Sequence, residues 1–282
     1  MTTPPITLPL PDLSGLVVAQ GHGGPALLGV GDALRTLLRL PWAAPLDPRA
    51  VELIPLPLPE LDGGSQLEAV DVDAAGLVYV LDETRALAHA LAVAGGAATL
   101  RHSFALVVPP GHPLRKAWDK RPNKRGEGLL VLPGGHLLVA KQTEPMALVE
   151  FGPAGDAAHG VQADPAPAQM ALPPGPTSEL VPLAVWEPDA NAQREVDSLN
   201  DLARGPDGAL YLVASHPRAT IARLRLPLAA GGGTFSFAAT WTIATPRHGK
   251  AEGLAFHPDG RVAVGLDATG DGPNLLLLAP LP

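Results

Sequence analysis

A polar residue recurs at the start of an apolar segment in five parts of this sequence, and the residue types suit metal binding. The positions are Ser14, Glu68, Glu127, Asn200 with Asp201, and Glu252. A carboxylate next to apolar residues is costly to bury unless it is paired. If the positions converge, three glutamates cannot all stay ionised without a cation. An all-oxygen set of this kind favours a divalent cation, calcium first and magnesium or manganese next.

These polar residues belong to a repeated pattern. Four segments align, and a fifth is longer at its turn: residues 66–83, 126–142, 199–215, 251–267 and 12–32. Each has an apolar run, a turn and a second apolar run that ends in polar residues. The turns DAAG, PGG and PDG contain the glycine and aspartate that tight hairpins need. Each unit is therefore predicted to be a β-hairpin.

The spacing of the repeats leaves room for two further strands in each. Successive polar positions are 52 to 73 residues apart, and segments such as RALAHALAV and TLRHSFALVVP fit as the added strands. Four antiparallel strands per repeat is the pattern of a β-propeller blade. We therefore predict an all-β fold, a single β-propeller domain over residues 1–282 with five blades.

Three features leave alternatives open. The longest interval, rich in proline and alanine, has room for a degenerate sixth blade. DALRTLLRL fits either a short amphipathic helix or a third strand. An up-and-down sandwich is the rival fold, but it would not explain the equivalent polar residue in each unit.

Composition limits the class of protein and its partners. The 31 glycines and 33 prolines are spread along the chain, which favours many turns and an all-β fold. A net charge of -8 argues against nucleic acid or an anionic membrane as partner. With no cysteine, disulfides and thiolate catalysis are excluded. The first residues lack the basic and apolar regions of a signal peptide, so a soluble, cytoplasmic protein is expected; the sequence gives no oligomeric state.

Strand direction predicts which other residues share the metal-binding face. If inner strands begin at that face, their hairpin turns lie at the opposite one, so His136 and His257 are expected to be turn or surface residues there. The exits of the second strands return to the metal-binding face. They carry Asp32, Glu83, His216 and Asp267.

The loops that lead into the inner strands supply the remaining candidates. His216 and His248 are candidate general acids or bases, because an unperturbed imidazole titrates near neutral pH. Asp201 is a candidate ligand or base. Lys124, Arg125 and Lys250 are candidates for binding an anionic part of the substrate, or for balancing the glutamates.

The motif EGL at 252–254 and the motif DLSGL at 12–16 resemble the calcium-binding propellers of the SdiA-regulated and phytase-like esterase type. The resemblance extends more distantly to gluconolactonase, senescence-marker and strictosidine-synthase-like propellers. In the gluconolactonase-like group a Glu, an Asn and an Asp at inner-strand starts bind the metal. The resemblance implies that role for Glu68, Glu127 or Glu252, and for Asn200 and Asp201. This sequence departs from the pattern by having three glutamates.

The leading hypothesis is a metal-dependent enzyme that hydrolyses a small-molecule ester, lactone or phosphoester at the channel mouth. One alternative is a lyase or cyclase of small-molecule biosynthesis, in which a glutamate acts as a base without metal. The other is a non-catalytic ligand-binding propeller with a structural cation. No Walker lysine, G-x-S-x-G elbow or H-E-x-x-H motif is present, so a phosphate loop, an acylating serine and a His-based zinc site of that type are not indicated.

Overall fold

The computed structural model describes residues 4–21, 23–43, 45–58, 66–164, 168–246, 249–268 and 272–282, and strands make up most of their regular structure. The strands are β1 (Leu13–Gly21), β2 (Gly24–Gly31), β3 (Leu34–Pro41), β4 (Glu52–Pro55), β5 (Leu67–Val72), β6 (Val78–Asp82), β7 (Leu87–Ala94), β8 (Ala97–Leu106), β9 (Gly128–Leu132), β10 (His136–Lys141), β11 (Ala147–Gly152), β12 (Thr177–Pro188), β13 (Asp201–Arg204), β14 (Leu210–Ala214), β15 (Thr220–Leu224), β16 (Gly233–Phe235), β17 (Phe237–Thr242), β18 (Gly249–Phe256), β19 (Val262–Ala268) and β20 (Leu275–Leu278). The helices are α1 (Arg115–Lys120) and α2 (Ala192–Glu195), with single 3₁₀ turns at Pro48–Ala50, Pro122–Lys124 and Pro133–Gly135. Among the described helices none has the length and apolar character of a membrane span.

The strands form five antiparallel blades around a central channel, which confirms the β-propeller. Four blades have the orders β1-β2-β3-β4, β5-β6-β7-β8, β9-β10-β11-β12 and β13-β14-β15-β17. The fifth has β18-β19-β20, and Ile6 forms an antiparallel bridge to Leu275 on its outer strand. The inner strands contact one another in the cyclic order β1, β5, β9, β13, β18. The N-terminal segment thus closes the ring beside the last strand.

No sixth blade occurs in the described part of the long interval. Residues 153–164 and 168–176 form a connection, and β12 follows it as the outer strand of the third blade. The first half of β12 also pairs in parallel with β8 of the second blade, and its end pairs with β16. The additional length of this interval therefore forms a connection and a long β12, which joins the outer edges of neighbouring blades.

All five predicted hairpins are present, and DALRTLLRL forms strand β3 rather than a helix. Its Leu38 and Leu40 pack into the apolar cluster that the first blade shares with the fifth, while Leu37 packs into the cluster shared with the second blade. Leucines on both faces of the segment are buried because each blade is covered on both sides by its neighbours. The two-sided burial explains why the periodicity was ambiguous.

Small residues after the polar positions let the inner strands approach closely. A Cβ added to Gly15 on β1 would lie 2.6 Å from the Ala69 Cα on β5. One added to Gly128 on β9 would lie 2.7 Å from the Leu202 backbone nitrogen on β13. Both contacts are with backbone, which cannot move aside without shifting a strand. A glycine at these positions is therefore required by packing at the axis.

We expect Gly128→Ala to lower the free energy of unfolding by about 1–3 kcal/mol, the usual cost of overpacking a filled interior. Gly231→Ala is the matched control, since an added Cβ there meets nothing within 4 Å. Urea unfolding of the two variants measures the difference. Equal stabilities of the two variants would show that the inner strands can move apart at this contact without loss of stability.

A buried histidine in the second blade gives the fold a dependence on pH. His89 on β7 is 1% exposed, and its Nδ1 lies 2.9 Å from the Ser103 hydroxyl. Burial, together with the nearby charge of Arg85, lowers the pKa of His89 to about 4. Below pH 6.5 the unfolded chain therefore binds a proton that the folded chain does not bind until about pH 4. The stability that this group contributes is present above that window and is lost as the pH falls through it.

We expect the wild type to lose about 2 kcal/mol of stability relative to His89→Gln when the pH falls from 7 to 5. Urea unfolding of both proteins at the two pH values gives the difference directly. Because every other titrating group is common to the two proteins, parallel stability curves would show that His89 does not carry this dependence.

Candidate metal centre

A pocket of about 300 Å³ opens at the channel mouth where the inner strands begin. Its wall is strongly acidic, and two lysines stand among the carboxylates. The seven carboxylates are those of Asp12, Asp32, Glu68, Glu83, Glu127, Glu252 and Asp267. Such a concentration of like charge in a partly closed space favours protonation of the carboxyl groups or binding of a cation.

The three glutamates of the repeated motif meet in this pocket. Glu68, Glu127 and Glu252 come from the second, third and fifth blades, and each side chain is at least nine-tenths buried. They lie at the starts of β5 and β9 and within β18. The sequence prediction that equivalent positions converge is thus met by these three residues.

A local backbone irregularity places two of these glutamates. The pairing of β5 with β6 shifts register between Leu67 and Ala69, so Glu68 is the extra residue of a β-bulge. The pairing of β18 with β19 shifts in the same way around Glu252, and that of β1 with β2 around Ser14. A bulged residue leaves the ladder and turns its side chain out of the regular alternation. The bulges bring these polar side chains to the channel mouth.

The carboxyl groups raise one another's pKa values. Burial, together with the charges of Glu83, Asp32 and Glu252, raises the pKa of Glu68 to about 8. Burial, followed by Glu83 and Glu68, holds the pKa of Glu127 well above its usual value. Burial also raises the pKa values of Glu83 and Glu252 to about 7 each. The ionised cluster is therefore unfavourable by itself, and a bound cation would stabilise it.

Asn200 lies next to Glu252, and its side-chain amide oxygen has no hydrogen-bond donor among the described residues. It is 1% exposed, and its Nδ2 donates to Glu252 Oε2 at 2.7 Å and to Ser215 Oγ at 2.7 Å. Within the described part of the chain, no hydrogen-bond donor reaches Asn200 Oδ1. A buried amide oxygen without a donor is uncommon in folded proteins. Asn200 does not itself line the pocket, but its side chain contacts the buried Glu252 carboxylate that does. Carboxylate and amide oxygens together fit the ligand preference of calcium.

Two of the three predicted substrate-binding residues line the pocket. Lys250 donates from Nζ to Asp267 Oδ2 at 2.9 Å, and the Lys124 ammonium donates to Gln142 Oε1. Arg125 is placed elsewhere. Its guanidinium donates to the carbonyl oxygens of Trp118 and Thr84 at 2.8 and 2.7 Å. Arg125 thus holds the loop that contains α1. The sequence gave no sign of this role, because the acceptors are backbone carbonyl oxygens.

The predicted catalytic residues do not gather at the pocket. Asp201 is fully buried in the channel wall, where its carboxylate accepts hydrogen bonds from three backbone N–H groups. His216, just after β14, is exposed and is not among the residues that line the pocket. His248 lies outside the described residues.

The histidines of the hairpin turns divide into two cases. His257 lies in its turn next to a cavity of about 600 Å³ at the opposite mouth, which is lined by inner-strand ends and turn residues. His136 was expected to be a turn or surface residue, but it is buried. Its ring is fully buried against Gly152, where a Cβ would collide with the imidazole.

Sequence reasoning gave Asp12 and Glu83 no chemical role. The predicted strand directions placed Glu83 at the mouth of the channel where the acidic pocket lies, as they did Asp32 and Asp267. Asp12 carried no such signal, although it begins the DLSGL motif. Its backbone has a φ of 54°, which is uncommon for a residue with a side chain, and burial with the charges of Asp32 and Asp267 raises its pKa to about 6.

Comparison with known proteins supports the fold. No protein-family model matches the sequence, and a search of curated proteins finds no similar sequence. The structure is similar to the glutaminyl cyclase of Myxococcus xanthus, with 16% identity, coverage of 99% of this chain and 95% of that one, and a TM-score of 0.56. It is also similar to the PQQ-bound aldose sugar dehydrogenase of Streptomyces coelicolor, with 13% identity, coverage of 99% of this chain and 97% of that one, and a TM-score of 0.51. A gluconolactonase of Xanthomonas campestris has 14% identity, 99% and 79% coverage and a TM-score of 0.47. At these identities the likeness concerns the β-propeller fold, and the calcium-binding subtype stays a prediction.

Proposed function

We propose that this protein binds a divalent cation, calcium first, at the channel mouth and acts as a metal-dependent hydrolase of a small-molecule ester, lactone or phosphoester. The observation that carries the proposal is the Asn200 amide oxygen, which has no donor in the described structure and belongs to the side chain that holds Glu252. The proposal rests on this site rather than on the likeness to other propellers.

Four side chains would hold the cation: Glu68, Glu127, Asn200 through Oδ1, and Glu252. They offer only oxygen atoms, which suits a hard cation better than zinc. When bound, the cation would polarise a carbonyl or phosphoryl oxygen and lower the pKa of a bound water.

The other residues of the pocket can bind substrate and move a proton. Lys124 and Lys250 stand in the same wall and can bind an anionic group of the substrate. Glu83, whose pKa burial raises to about 7, can accept or donate a proton near neutral pH. The volume of about 300 Å³ suits a small molecule. This division of roles replaces His216 with Glu83 as the proton-transferring group.

The test is turnover of lactones, aryl esters and phosphoesters by chelator-treated and calcium-loaded protein. We expect turnover of one substrate class in the loaded protein only, and a fall in kcat of about 100-fold or more in Glu83→Gln with calcium affinity retained. Glu195→Gln, an exposed change on α2, is the matched control. Turnover unaffected by chelation would contradict the role of the metal.

Calcium binding without turnover of any substrate class would overturn the hydrolase proposal and favour the non-catalytic ligand-binding propeller. The metal site would stand in that case, because its stoichiometry is measured without a substrate.

A further inference from the structure

We propose a second metal site, on the third blade, that takes a transition-metal ion of the zinc class. Its ligands are His136 at the start of β10, with Asp156 and His159 in the connection after β11, and Glu150 on β11 orients His136. The site differs from the channel mouth in place and in chemistry, and it does not depend on the proposed function.

Glu150 holds the His136 ring in the orientation that a metal ligand needs. His136 Nδ1 lies 2.6 Å from Glu150 Oε1, and both side chains are fully buried. The carboxylate is itself fixed by the backbone N–H groups of His159 and Gly160, at 2.8 and 3.0 Å. With Nδ1 donating to a carboxylate, the neutral imidazole carries its lone pair on Nε2. A carboxylate behind a histidine is the usual outer partner of a metal-binding imidazole.

The second ring nitrogen of His136 faces Asp156 across a gap. His136 Nε2 is buried and makes no hydrogen bond within the described residues, and Asp156 Oδ2 lies 3.6 Å from it. That separation is too long for a hydrogen bond. Two ligand atoms of a tetrahedral zinc ion, with bonds of about 2.0–2.2 Å, lie roughly 3.3–3.6 Å apart. The pair is therefore spaced to share an ion.

His159 supplies the third ligand. Its ring stacks on that of His136 with centroids 4.3 Å apart, and its Nδ1 lies 3.2 Å from the Pro133 carbonyl oxygen. That contact leaves Nε2 as the nitrogen with a lone pair. Stacked rings direct their lone pairs side by side, so binding requires the His159 ring to turn. The side chain is exposed, so a rotation of the ring does not require buried residues to move.

The chemistry of the ligands selects the ion. Imidazole nitrogen suits zinc, copper and nickel, whereas calcium takes oxygen ligands. Two histidines and a carboxylate leave the fourth tetrahedral position for water. Calcium added in excess therefore occupies the channel mouth and leaves this site open to zinc.

The test is zinc titration of the full chain in excess calcium by isothermal titration calorimetry. We expect one zinc ion per chain, with the affinity reduced about 10-fold or more by Asp156→Asn and again by His159→Ala. Both residues lie at the surface, so the variants should fold. His257→Ala is the control, because His257 also pairs with an exposed aspartate, Asp259, but at 2.7 Å, a distance that leaves no room for an ion between them.

Cobalt gives a second readout, since a tetrahedral cobalt site absorbs visible light and an adventitious octahedral one absorbs far less. The wild type should show this absorption and Asp156→Asn should lose it. The site is refuted if zinc does not bind, or if the wild type and a variant with both Asp156→Asn and His159→Ala bind it equally. Either result leaves calcium binding at the channel mouth untouched.

Discussion

Replacing Glu127 with glutamine is expected to weaken calcium binding at the channel mouth by about 100-fold or more, because loss of even an outer-shell partner costs a metal site 10–100-fold. The change keeps the size of the side chain and removes one charge from a side chain that is 6% exposed. Calorimetric titration of chelator-treated protein with calcium measures the affinity of both proteins.

The metal-free form of this variant provides an internal control. Burial and the charges of Glu83 and Glu68 make ionisation of Glu127 unfavourable, so the glutamine variant should melt no lower than the metal-free wild type. Calcium should then raise the melting temperature of the wild type more than that of the variant. A variant that binds calcium like the wild type would exclude Glu127 as a ligand, and Glu195→Gln shows the effect of an exposed charge.

Replacing Asp201 with alanine is expected to lower the free energy of unfolding by about 3–5 kcal/mol. Asp201 Oδ2 accepts from the Leu16 and Leu254 backbone nitrogens at 3.2 and 2.8 Å, and Oδ1 accepts from the Leu202 nitrogen at 2.7 Å. Leu16 and Leu254 lie on the inner strands of the first and fifth blades. One buried side chain thus joins three inner strands, and its loss leaves buried N–H groups without an acceptor.

Urea unfolding measures this loss, with Asp259→Ala as the control at an exposed aspartate. Asp201→Asn keeps one acceptor oxygen and should lose less stability than Asp201→Ala. If Asp201→Ala costs less than about 1 kcal/mol, the three hydrogen bonds do not stabilise the ring. If Asp201→Asn folds and binds calcium but has no turnover, Asp201 has the catalytic role that its position in the motif predicted.

Much of the fold could be predicted because its signals are local. The glycine and aspartate of each turn and the apolar runs beside them are contiguous in sequence, and their spacing gave four strands per blade. Closure of the ring could not be predicted in this way. It brings β1 against β18 and bridges Ile6 to Leu275, so it joins residues that are far apart in the sequence and have no distinctive local pattern.

The candidate site, like the fold, could be predicted only in part from the sequence. The recurrence of a polar residue at the start of each inner strand predicted that Glu68, Glu127 and Glu252 lie close together. The β-bulges that direct the side chains of Glu68 and Glu252 have no signal in the sequence. Strand polarity gives the face on which a residue lies but not the direction of its side chain. His216 therefore shares the face and lies outside the pocket, and Arg125 faces backbone carbonyl oxygens that no motif reveals.

The position of the metal is measured most directly by anomalous diffraction from crystals grown with manganese, which prefers the same oxygen ligands as calcium. We expect one peak at the channel mouth, within bonding distance of Glu68, Glu127, Glu252 and Asn200 Oδ1, and its loss when calcium is added in excess. A channel mouth without a peak at saturating manganese, in crystals of the folded protein, would contradict a metal centre formed by these residues.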